Sequence, residues 1–278
     1  MKRKPIAIAA VVVLVGALGL FAVSRSFTGG LQLPRLGPEC TVRADGEVTL
    51  DAVQMANAAT ITAVGLRRKM PERAVVVALA TAFQESKLEN LDSGDRDSVG
   101  LFQQRPSQGW GTPEKIQDPR YAANKFYSAL KKVKGWKDMR VTDAAQKVQR
   151  SAYPNAYEKW ADESEVLARA LTGRATGAVE CTVDSKPALR GAAAAAALAE
   201  VFTLDWGVEA TAAELSWSVE NPDSGWRYAH WLVSHAKTTG LERVRFADRE
   251  WTAPDGKWQP VTGDRRVGND TVVAEVFD

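Results

Sequence analysis

A chain of 278 residues, 45% hydrophobic and 25% charged, has room for an apolar leader and two modest globular parts, and is not disordered overall. Its formal net charge of +2 becomes −2 once Lys2, Arg3, Lys4 and Arg25, the four cations of a leader without acids, are set aside. A basic nucleic-acid surface is not indicated.

The opening MKRKPIAIAAVVVLVGALGLFAVSRS places cations before an apolar run of about 19 residues, which as a helix spans roughly 28 Å. Residues 1–25 read as a transmembrane signal anchor with a cytoplasmic N-terminus and an extracytoplasmic body. Cleavage after Ala22-Val23-Ser24, giving a secreted protein, is the alternative. Residues 26–39, rich in Gly, Pro and polar side chains, read as a linker. The two cysteines, Cys40 and Cys181, share the context Glu-Cys-Thr-Val and bracket the next part of the chain. In an oxidising compartment they are expected to form a disulfide.

Beyond Asp45-Gly46, a turn, Thr49 or Asp51 caps a helix carrying Val53, Ala56, Ile61 and Val64. Pro71 starts the next helix, with Val75, Leu79, Ala82 and Phe83 as its buried face and Glu85 near its last turn. A carboxyl set against the core resists ionisation, which suits a general acid at neutral pH. Glu85 is therefore the first catalytic candidate. The chain then turns polar through Asp92, Gly94, Asp95 and Asp97. It returns to apolar at Val99-Gly100-Leu101-Phe102 before Gln103 and Gln104, a loop able to fold back over the helix end as a short hairpin.

Asp118-Pro119 opens a helix with Tyr121, Ala122, Phe126, Ala129 and Leu130 inward, and Val141-Thr142-Asp143 caps another through Gln149. Tyr157 to Leu171 forms the last helix of this part. A second linker, 175–186, precedes a helix from the alanine run Gly191–Leu198. A further helix starts at Ser224 or Gly225 and stops at Gly240. Val244-Arg245-Phe246, Glu250-Trp251-Thr252 and Thr271–Phe277 read as strands, with Pro254-Asp255-Gly256 as a hairpin turn.

Glu85-Ser86, a polar spacer and Ser98-Val99-Gly100-Leu101-Phe102-Gln103 resemble the E-S … S-x-G-L-x-Q signature of lytic transglycosylases in the lysozyme-like superfamily. Ala152-Tyr153-Pro154-Asn155-Ala156-Tyr157 stands where that family carries A-Y-N-A-G. The resemblance covers residues 49–173. It implies a lysozyme-like α-domain over 40–174, while the helices and strands read beyond it make a smaller α+β module over 187–278, so that the plan as a whole is mainly α. It also implies cleavage of the peptidoglycan glycan strand by Glu85 as single acid and base, with Ser86, Ser98, Gly100, Gln103, Gln104 and Tyr153 around the sugar and no cofactor. The C-terminal part resembles a peptidase-like module of actinobacterial cell-wall proteins whose last strand carries histidines. Here that strand has none, so it reads as a binding or structural module.

Two rivals stay open. A muramidase would need a second carboxylate, for which Asp92, Asp95 and Asp97 are candidates, and a non-catalytic peptidoglycan-binding protein would need none. Phe102, Trp110, Tyr121 and Tyr153 can offer flat faces to sugars or pack in the core. His230 and His235, five apart on one helix, point different ways and read as packing residues rather than metal ligands. The Asp95-Arg96-Asp97 loop lacks the oxygens of a calcium site.

Overall fold

In the computed structural model, which describes residues 39–183 and 186–278, the first described element is a hairpin. Strands β1 (Glu39–Arg43) and β2 (Glu47–Asp51) pair antiparallel, with Cys40 opposite Leu50 and Val42 opposite Val48. Alternate residues are apolar and buried, as one face of a pleat requires. Strand β3 (Val179–Cys181) pairs with the other edge of β1, and Cys181 faces Cys40 across it, where the disulfide forms. The bridge spans a sequence separation of 141 residues. By the chain-entropy argument such a closure contributes up to about 5 kcal/mol.

Asp51 ends β2 and also caps α1 (Ala52–Arg67), accepting from the amides of Val53 and Gln54 while the Gln54 side chain accepts from the Asp51 amide. This reciprocal capping box joins sheet to helix without a loop. Helix α2 (Glu72–Ser86) is buried at every position from Ala74 to Phe83. Such a helix must be covered on all sides. Its cover is α1, α4 (Pro119–Leu130), α5 (Val141–Gln149) and α6 (Ala161–Leu171), with the one-turn α3 (Pro113–Ile116) preceding α4. The element carrying Glu85 is thus the centre of the packing.

Helices α7 (Gly191–Trp206), α8 (Pro222–Ser234) and α9 (Ala236–Thr239) accompany a second antiparallel sheet. Its strands β4 (Ser216–Ser218), β5 (Leu241–Phe246), β6 (Arg249–Thr252), β7 (Trp258–Pro260) and β8 (Thr271–Val276) lie in the order β4-β8-β5-β6-β7. This half is joined to the first by buried polar groups. Asp205 of α7, fully buried, accepts from Thr60 Oγ1 and Trp231 Nε1 at 2.8 Å and pairs with Arg120 Nε at 2.6 Å. His230 of α8 accepts from the Ala178 amide at 2.9 Å through Nε2 and donates from Nδ1 to the Ala170 carbonyl at 2.8 Å. The Asp205 carboxylate, paired with one cation and accepting from two donors, ties four helices together at one point.

The mainly α, lysozyme-like plan is corrected by this arrangement. The described chain is about 47% helical with 16% strand, in two antiparallel sheets, and the first sheet was read as turn and helix cap. Five-residue strands ending in an N-cap leave little period for a sequence pattern to reveal. The transmembrane helix expected over 1–25 falls outside the described residues. Among those described, no helix is long and apolar enough to cross a membrane.

Candidate active site

Helix α2 ends at Ser86, and Lys87 and Leu88 both take left-handed backbone conformations that turn the chain sharply away. Ser86 is buried, and its hydroxyl lies 3.0 Å from the Ala82 carbonyl and 2.7 Å from the Leu101 carbonyl, its two acceptors. It fastens the returning loop to the helix end and is not among the residues lining the cavity beside Glu85. The loop closes on itself through a bridge between Val99 and Gln104, with mutual amide–carbonyl bonds of 3.1 Å. Gly100 stands at φ +79°, its amide donates to Leu91, and a Cβ there would lie 2.8 Å from the Ile116 carbonyl oxygen. Its role is conformational.

The fold-back leaves Glu85 half-buried at the floor of a cavity of about 840 Å³, also lined by Asp95, Ser98, Gln103, Gln104 and Tyr153. Glu85 Oε1 accepts from the Tyr157 hydroxyl at 2.7 Å and from Gln149 Nε2 at 3.2 Å. Gln149 Nε2 also donates to the Phe102 carbonyl at 2.7 Å, so one amide orients both the carboxyl and the loop. Burial pushes the Glu85 carboxyl above the usual carboxylate range, and the two donors pull the other way without cancelling it. Tyr157, itself buried beside that carboxyl, is held far above the ordinary phenol range and stays a neutral donor.

Most of the expected sugar contacts converge here, with different freedom. Tyr153 is 74% exposed on the rim, its ring free to meet a ligand. Ser98 is buried and donates to the Asp95 carbonyl at 2.6 Å, with Gln103 Oε1 at 3.2 Å. Gln103 Nε2 donates to Gly100 O. Gln104 Nε2 donates to the Ala122 carbonyl, while its Oε1 is buried without a partner. Phe102 lies in the core, stacked on Phe126 at 4.8 Å, and offers no face to a sugar.

The candidate second carboxylates differ sharply. Asp97 accepts from Arg105 Nε at 2.7 Å and from the Ser107 amide at 2.8 Å, which hold it ionised far below the usual range. It braces the loop. Asp95 lines the cavity, with a side chain 90% exposed, and Asp92 is exposed outside it.

Sequence reasoning passed over Tyr157 and Gln149. Ala156-Tyr157 repeats the Ala-Tyr pair of Ala152-Tyr153 four residues on, without the intervening proline, and that repeat was the available signal. Gln149, the last residue of α5, carries none. Comparison with protein-family models gives no match, and comparison with curated proteins gives no significant one.

Proposed function

We propose that this protein cleaves the glycan strand of peptidoglycan on the outer side of the cell membrane, as a lytic transglycosylase with Glu85 as general acid and base. The observation carrying this reading is one half-buried carboxyl, biased toward its protonated form, oriented by Tyr157 and Gln149 and open to a polar cleft. A protonated Glu85 gives its proton to the glycosidic oxygen as the bond from that oxygen to C1 breaks. The resulting carboxylate takes the proton of the sugar's 6-hydroxyl as that oxygen bonds to C1, closing a 1,6-anhydro ring. No water is consumed, and the carboxyl ends as it began.

The engagement of Asp97 with Arg105 and Ser107 argues against it as the base or nucleophile of a muramidase, which leaves Asp95 as the cavity-lining carboxylate such a route would have to use. The Cys40–Cys181 disulfide supports an oxidising, exported setting. Mass spectrometry of soluble products from purified peptidoglycan tests the proposal. Wild type is expected to release anhydro-muropeptides, and Glu85→Gln to lose about 10²–10⁴-fold in rate. Reducing-end products would replace it with hydrolysis, and no release by wild type would leave a binding protein.

A further inference from the structure

The cleft does not end at Glu85. A second cavity of about 870 Å³ shares Gln108, Trp110, Gln149 and Arg150 with the first, so the two adjoin along those four residues. This arm runs between α4 and α5 and carries Lys125, Lys132, Lys147 and Arg150, with no carboxylate among its lining residues. Trp110 and Tyr121 supply its apolar surface, with the Tyr121 hydroxyl donating to the Trp110 carbonyl and Lys125 Nζ 5.3 Å from the Tyr121 ring centre. Asp143, one turn before Lys147, lies off the lining and is held by Arg140 through two bonds of 2.9 Å.

That one-sided charge is not forced by composition, since the body beyond the leader is slightly acidic. A separate cavity between the β1–β2 turn, α2 and α6 gathers Asp45, Glu47, Glu72, Asp162, Glu163 and Glu165 against two arginines. Charge is sorted by site. An uncompensated cationic groove raises the local concentration of anions and fixes the register of an anionic polymer.

We infer that this arm binds the carboxylates of peptide-bearing peptidoglycan, so that a strand crossing Glu85 is held by its acidic stems between α4 and α5. The inference rests on the glycan-cleaving reading, since it names what that cleft takes beyond the sugar. On a neutral glycan the arm would have nothing to pair with.

The test uses the full chain carrying Glu85→Gln, so that binding is read without turnover. Peptidoglycan freed of phosphodiester-linked polymers is offered in two forms, native and with carboxyls amidated, and binding is measured by co-sedimentation at rising salt. The native form should bind about ten-fold more tightly at low salt, the gap closing as salt screens it. Adding Lys132→Gln, Lys147→Gln and Arg150→Gln, all exposed positions, should abolish the gap. Should the change at Arg150 disturb the end of α5, the Lys132→Gln/Lys147→Gln pair alone must narrow it. Equal binding of the two forms, or a gap that survives the substitutions, overturns the inference. Product release by wild type is followed alongside: a gap without cleavage sinks the lyase reading and keeps the arm's ligand, while cleavage without a gap does the reverse.

Discussion

At the scale of single residues, Glu85 is set between opposing influences. Burial favours its neutral form, and the Tyr157 hydroxyl and the Gln149 amide favour the charged one. A general acid must be protonated in the free enzyme, so activity should fall as pH rises through the Glu85 pKa. Tyr157→Phe removes a donor to the carboxylate and raises that pKa further. The alkaline limb of kcat/KM against pH should therefore move up in the variant, while kcat falls as the carboxyl loses an orienting partner. An unmoved limb would show that Tyr157 acts only through packing. Tyr153, on the exposed rim, has no such lever and should alter KM alone. The nature of the acid was legible in sequence because an apolar helix face ends beside it. Its tyrosine partner was not, because hydrogen bonding across 72 residues leaves no local period.

At the scale of elements, the loop from Lys87 to Arg105 converts a helix end into a cleft wall. Ser86 clamps it at Leu101, Asp97 braces it through Arg105 and Ser107, and Gly100 lets it pass Ile116. Gly100→Ala demands both a left-handed backbone and a displaced neighbour. It should cost about 1–3 kcal/mol and reduce turnover, because the Gln149 bond to Phe102 O depends on this loop. Gly109 has a similar φ of +81° with nothing within 4 Å of a Cβ, so Gly109→Ala isolates the backbone term and should cost less. Denaturant melts of the two variants check this, and equal losses would refute the packing argument. Helix starts with side-chain caps were readable, as at Asp51 and Asp118-Pro119, but the single helix expected to run to Gly240 is two, α8 and α9, parted at His235. Strands β5, β6 and β8 were readable from runs of β-branched and aromatic residues, but β3, three residues long, is too short to show a period and is defined by its pairing with β1.

At the scale of the whole molecule, the missing information was non-local. The sheet around Cys40 and Cys181 closes the first part of the chain on itself, and Asp205 and His230 bind the second part to it through groups that sequence shows only as a lone acid and a lone histidine. His230 makes that junction pH-sensitive. Its ring is fully buried between the Ala170 carbonyl and the Ala178 amide, and burial pushes its pKa down to about 4. In the unfolded chain the same ring takes up its proton near 6.5. Between those values the unfolded state binds more protons, so stability is complete above about pH 6.5 and drains away as pH falls toward 4. The loss from His230 alone reaches about 3 kcal/mol, and His235, also pushed down by burial, acts in the same direction. Thermal midpoints between pH 5 and 7.5 should therefore rise with pH, and His230→Gln should flatten that slope whatever its effect on absolute stability. A slope unchanged in the variant would place the acid sensitivity elsewhere than in the histidine that joins α8 to the Ala178 amide and to α6.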